Sequence, residues 1–310
     1  MSEVDLRVNI GRLELANPVM TASGTFGGSG QEFAPFFDLS VLGAIVGKTI
    51  TPHPRKGNPP PRTHETPGGL LNSIGLMNPG FPGWVEEVLP ELRKSGTKVV
   101  INVAGETEAQ YYELAEKLDD LCGVDAVEVN ISCPNVEQGG ACPAQDPAIT
   151  SRVLTGVLER TNLPIIAKLT PNVADITVIA RAAEDAGAHA VSLVNTYLGT
   201  AVDWRKRSFV FANKVAGLSG PAIRPMALLC VWRTAQAVSI PVVGIGGIGT
   251  AEHAMEFLAA GATAIQVGTA SFVSPTAAAR VVEELPGLLA EAGVSSVREF
   301  HESMGGSLGT

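Results

Sequence analysis

The sequence predicts an α/β protein, a (β/α)8 (TIM) barrel with an N-terminal β-hairpin and long inserted loops over the C-terminal mouth. Three observations predict it. Eight short apolar runs recur along the 310 residues with helix-like stretches between them. The runs are continuous rather than alternating, as suits parallel strands buried on both faces. Polar residues collect where the runs end. Eight strand–helix alternations favour a closed barrel over an open sheet, and no linker splits residues 1–310 into two domains, so a single domain is expected.

Taken in order, residues 4–15 alternate like a hairpin with Gly11 near its turn, placed to plug the bottom of the barrel. The eight runs are 18–22, 42–46, 98–103, 126–131, 165–169, 190–195, 242–245 and 264–267. Asp146-Pro147 and Ser274-Pro275 each set a capping side chain before a proline suited to the first helical position. Gly187 and Gly261 follow apolar-periodic stretches as helix stops. Two connections, residues 50–82 and 197–221, exceed ordinary loop lengths. Long loops in a compact domain are usually functional or disordered.

Composition narrows the function classes. With 45% hydrophobic and 17% charged residues the chain packs a core. Its 22 Lys and Arg against 31 Asp and Glu, a net charge of -9, disfavour the basic stripe of a nucleic-acid binder. A small anionic substrate then needs a local basic pocket. The first residues carry acids and no targeting pattern. No apolar run reaches the roughly 18 residues of a membrane span, so the chain reads as cytoplasmic, with no membrane contact. Cys122, Cys133, Cys142 and Cys230 form no C-x-x-C pair, which argues against an internal iron–sulfur or zinc site. They read as reduced thiols, a Cys133–Cys142 disulfide being disfavoured in a reducing compartment. The five histidines share no ligand spacing, and no metal site is expected. Arg205-Lys206-Arg207 reads as a solvated face, with steering of an anionic substrate as the alternative.

In a barrel the catalytic groups project from the carboxyl ends of several strands. Here those ends carry Ala22-Ser23-Gly24, Lys48-Thr49, Asn102, Asn130, Lys168 and Asn195-Thr196. Carboxamides set a donor beside an acceptor, which suits the alternating C=O and N–H edge of a pyrimidine or an isoalloxazine, although each lone Asn also suits a turn. A lysine ending an apolar strand needs an anionic partner. Gly244-Ile-Gly246-Gly247-Ile-Gly249 matches a dinucleotide fingerprint, but no acid lies between Glu256 and Glu283 to meet a ribose. As the end of a seventh barrel strand, joined by Gly268-Thr269 after the eighth, it predicts a phosphate site built from backbone N–H groups. Cys133, on the glycine-containing loop after the fourth strand, suits a general base shielded by a lid, although a Cys taken alone is more often inert packing.

Several strings together resemble the class 1 dihydroorotate dehydrogenases over essentially the whole length. They are Asn17-Pro18, Ala22-Ser23-Gly24, Leu71-Asn72-Ser73-Ile74-Gly75-Leu76-Met77-Asn78-Pro79-Gly80, Asn130-Ile131-Ser132-Cys133-Pro134-Asn135, Gly217-Leu218-Ser219-Gly220-Pro221-Ala222, Gly246-Gly247 and Gly268-Thr269. The resemblance implies FMN held by Ser23, Lys48, Thr49, Asn102, Asn130, Lys168, Val194, Gly220, Gly246, Gly247, Gly268 and Thr269, with phosphate at the last two pairs. It implies a dihydroorotate site of Lys48, Asn72, Ser73, Ile74, Gly75, Leu76, Asn130, Asn195 and Thr196, with Cys133 as catalytic base. A serine base marks the membrane-associated class 2.

The wording Ser132-Cys133-Pro134-Asn135-Val136 followed by Gly139-Gly140 is most similar to the 1B catalytic subunit. That type implies oxidation of dihydroorotate to orotate in pyrimidine biosynthesis, a homodimer joined by a subunit carrying FAD and a 2Fe–2S cluster into a heterotetramer, and NAD as final acceptor. The alternatives are a fumarate-dependent class 1A enzyme and a flavin reductase of uracil-type rings. One departure stands out: Ala141-Cys142-Pro143 replaces an expected aromatic–Gly pair after the lid glycines.

Overall fold

The computed structural model describes residues 4–132 and 145–304. Each expected run forms a strand: β1 (Val19–Thr21), β2 (Ala44–Val46), β3 (Lys98–Val103), β4 (Ala126–Asn130), β5 (Ile165–Lys168), β6 (Ala190–Leu193), β7 (Val242–Ile245) and β8 (Ala264–Val267). They pair in parallel in chain order, and β8 closes on β1 through Ile265 opposite Val19. With side chains packed inside and helices outside, seven of the eight strands are buried along their whole length, and β3 exposes only Lys98. That burial is why the strands read as unbroken apolar runs rather than alternating ones.

The outer helices follow their apolar period. In α1 (Glu108–Asp119), α2 (Pro147–Leu158), α3 (Ile176–Asp185), α4 (Arg224–Ala235), α5 (Ala251–Ala259) and α6 (Ala277–Glu291) one stripe faces the strands, as Ile176, Ile179, Ala180 and Ala183 do in α3. Asp146 caps α2, its Oδ1 accepting from the Ala148 and Ile149 amides at 2.8 and 3.2 Å. Gly187 and Gly261 sit at φ 95° and 99° beyond α3 and α5, the left-handed stop expected of them.

Two expectations shift. α6 begins at Ala277, not after Ser274: the Ala277 amide turns back to the Ser274 carbonyl, and Thr276 takes the cap position. The β1–β2 crossover holds only a 3-10 turn, Leu39–Val41. Its glycines favour a compact aromatic knot, with the Phe26 and Phe33 rings stacked at 4.1 Å.

The N-terminal hairpin, Val8–Ile10 with Leu13–Leu15, closes the barrel bottom as expected. A Cβ on Gly11 would lie 2.8 Å from His189 Cβ, just before β6 begins, and Arg12 reaches the Asn162 carbonyl just before β5. Over the other end the two long insertions build one antiparallel sheet, in the order Tyr197–Gly199, Ala216–Ser219, Gly69–Asn72, Thr63–Thr66. Leu71 pairs with Leu218 across it. Each insertion supplies half of this roof, and a small cluster of Leu71, Phe211 and Ala216 packs against it.

Candidate active site

Between the strand ends and the roof lies a cavity of about 630 Å³, within the roughly 300–1,000 Å³ of small-molecule and cofactor sites. Its wall gathers Ser23, Lys48, Thr49, Asn130, Lys168, Val194, Gly220, Gly246, Gly247, Gly268 and Thr269 from the strand ends. Asn72, Ser73, Ile74, Gly75, Leu76, Asn195 and Thr196 line its other side. Asn102 is absent from the lining: its buried Nδ2 donates at 2.6 Å to Glu128 inside the barrel. Cys133 and the departure at residues 141–143 lie outside the described residues. Arg55, Asn58 and Glu106, which the sequence reading passed over, also line the wall.

The cavity is locally basic in an acidic protein. Among the described residues, Lys48, Arg55 and Lys168 face it against the single acid Glu106, which pairs with Arg55. Lys168, buried at the end of β5, donates to Ser23 Oγ at 3.1 Å and stands 3.5 Å from Glu128 Oε1. Burial, and after it the nearby charge of Lys168, hold Lys48 below the usual lysine range. Two ammonium groups so placed favour an anionic occupant.

The segment at residues 73–76 is braced from both sides. Asn58 Nδ2 donates to the carbonyl and hydroxyl of Ser73 at 3.2 and 3.1 Å, and the Asn58 amide donates to the Ile74 carbonyl at 2.9 Å. Asn78 Nδ2 holds the Leu76 carbonyl at 2.7 Å. Gly75 at φ 75° leaves room for Asn58, whose Oδ1 would sit 2.5 Å from a Cβ there. Asn72 Nδ2 reaches across the roof to the Gly217 carbonyl at 3.2 Å.

At the far end, Gly220, Gly246 and Gly247 adopt φ 99°, 134° and 73°. A Cβ on Gly246 would fall 2.7 Å from Ala227 Cβ, and one on Gly247 2.9 Å from the Gly220 carbonyl. Only bare backbone fits there, so peptide groups, not side chains, form that wall. Thr269 Oγ1 donates to Ser219 Oγ at 2.8 Å and ties the end of β8 to the roof. The donor set fits a flavin mononucleotide: amides and lysines for a polar ring edge, a bare peptide cradle for a phosphate.

The remaining polar residues of the barrel interior escaped the sequence reading. Ser192 and Gln266 join Asn102 around Glu128, at 2.9 and 2.7 Å from Oε2. The signal was present: Glu128 interrupts an apolar strand as Lys168 does.

A closed barrel with such a mouth defines an enzyme scaffold, and sequence comparison supplies its family. A model of the dihydroorotate dehydrogenase family matches residues 5–289, and the chain belongs to that family. It is 52% identical over 300 residues to the dihydroorotate dehydrogenase B (NAD(+)) catalytic subunit of Geotalea uraniireducens, covering 97% of this chain and 98% of that one. The protein of the same name from Alkaliphilus metalliredigens is 48% identical over 304 residues, 98% of this chain and all of the relative (100%). Among solved structures, DHODH from Eimeria tenella in complex with ferulenol superposes with a TM-score of 0.78, over 96% of this chain and 89% of that one. At 22% identity it supports the fold alone. No helix among the described residues is long and apolar enough to cross a membrane.

Proposed function

We propose that the chain oxidises dihydroorotate to orotate through bound FMN, as the catalytic subunit of an NAD-linked, B-type dihydroorotate dehydrogenase. The observation that carries this reading is the single cavity in which two lysines, a set of carboxamides and a bare glycine cradle converge. FMN would supply the two-electron acceptor for the hydride leaving C6 of the substrate. Gly246, Gly247, Gly268 and Thr269 hold its phosphate in this reading, and Ser23, Thr49, Val194 and Gly220 frame it. Asn72, Asn130, Asn195 and Thr196 keep the dihydropyrimidine in register. Lys168 places positive charge where negative charge grows during the reaction. Lys48 attracts the substrate anion. Cys133, assigned from its motif, takes the C5 proton.

The names of the relatives describe a catalytic subunit, which supports a separate electron-transfer partner. We assign that partner FAD and a 2Fe–2S cluster, joined to a dimer of this chain as a heterotetramer.

The test begins with the purified chain loaded with FMN. Dihydroorotate added without oxygen is expected to bleach the flavin, and NAD is expected to reoxidise it only with the partner subunit present. Turnover with fumarate instead would make the enzyme A-type, and no bleaching would overturn the reading. Cys133→Ala should keep the flavin yet slow bleaching at least ~100-fold, the scale of a lost general base; unchanged kinetics would remove Cys133 from the mechanism.

A further inference from the structure

The barrel buries a carboxylate that the proposed chemistry does not use. Glu128, fully buried on β4, meets polar partners from four other strands. Asn102 Nδ2 at 2.6 Å and Lys168 Nζ at 3.5 Å face its Oε1; Ser192 Oγ at 2.9 Å and Gln266 Nε2 at 2.7 Å face its Oε2. Strand alternation sets Glu128 and Asn130 on the same side of β4, so the carboxylate lies one pleat beneath the cavity wall. Of its four partners only Lys168 reaches the cavity.

Burying an ion here is unfavourable unless its partners are well placed, and apolar residues of similar volume often do as well or better for stability alone. The surroundings are nevertheless arranged for an anion. Asn102 and Gln266 both turn their NH2 groups to Glu128, and in doing so leave Asn102 Oδ1 and Gln266 Oε1 buried without partners. Three donated hydrogen bonds and one ammonium at 3.5 Å meet the two oxygens, which is what an ionised carboxylate takes.

We infer that Glu128 is a positioning residue that fixes the Lys168 ammonium beneath the cavity and offsets part of its charge, thereby setting the redox potential of the flavin. The inference rests on the FMN reading of the cavity. With Glu128 in place the flavin faces a partly neutralised pair. Without it the full positive charge of Lys168 faces the ring, in a low-dielectric interior that screens it little. Reduced flavin carries more negative charge than oxidised flavin, so it gains most from that charge.

The experiment is an anaerobic reductive titration of FMN-loaded protein against a reference dye. Glu128→Gln keeps the shape and removes the charge. Its midpoint potential should move positive, with reduced flavin gaining at least about tenfold in affinity over oxidised, about 30 mV for a two-electron couple. Glu128→Asp, which keeps the charge, should stay nearer the wild type. An unchanged or more negative potential in folded, flavin-loaded Glu128→Gln overturns the inference. If that variant does not fold, Ser192→Ala decides: with one neutral donor gone, the carboxylate opposes Lys168 more strongly and the potential should move negative, and no shift overturns the inference. Wild-type protein that binds no FMN would instead overturn the cavity reading itself.

Discussion

Lys48 and Lys168 share one wall of the cavity, and burial, with their mutual repulsion second, depresses the Lys48 pKa. The sign of the consequence depends on the state. Without ligand, the unfolded chain holds the Lys48 proton to higher pH than the folded chain does. Folding stability from this group therefore rises with pH between the depressed value and the ordinary 10.5, and is lost as pH falls through the depressed value. An anionic ligand favours the charged ammonium and reverses this, so orotate affinity should fall as pH climbs through a window that opens below 10.5. Binding measured by flavin absorbance across pH should show that alkaline limb in the wild type and lose it in Lys48→Gln. A pH-independent wild type would separate Lys48 from the substrate. At this scale the sequence was readable where polar residues end apolar strands. Asn102 also ends a strand but turns to Glu128 and lies outside the cavity lining, since spacing alone does not tell which pleat faces the cavity.

The segment at residues 73–76 is an element held by two asparagines rather than by regular pairing. Asn58 supplies three of the hydrogen bonds that fix it, two from its side chain, and net contributions near 1 kcal/mol each are typical. Asn58→Ala should therefore raise KM for dihydroorotate roughly tenfold while kcat changes less, the pattern of lost ground-state positioning. Steady-state kinetics with both parameters resolved would check it; a selective fall in kcat would place Asn58 in the chemical step instead. The eight strands were legible because they are buried on both faces. The roof was not, since Thr63–Thr66 is mostly exposed and polar and its sheet joins segments far apart in the chain, a pairing that local periodicity does not encode. The shift of the α6 cap from Ser274 to Thr276 is the ordinary two-residue ambiguity of helix ends.

For the whole molecule, the cavity draws its wall from the ends of seven barrel strands and from the roof, so an occupant there bridges most of the fold. A ligand that binds only the folded state stabilises it by about 2.7 kcal/mol at a hundredfold excess over Kd. Removing FMN should lower the melting temperature, and adding it back should restore the loss. Riboflavin, lacking the phosphate, should restore much less if the glycine cradle grips that group. Equal rescue by both, read by calorimetry, would move the phosphate elsewhere. The sheet shared by residues 63–72 and 197–219 carries a further consequence. Because its two halves are synthesised some 130 residues apart, the ceiling of the chamber can close only after most of the polypeptide has emerged. Swapping either insertion between relatives should succeed only when its counterpart travels with it.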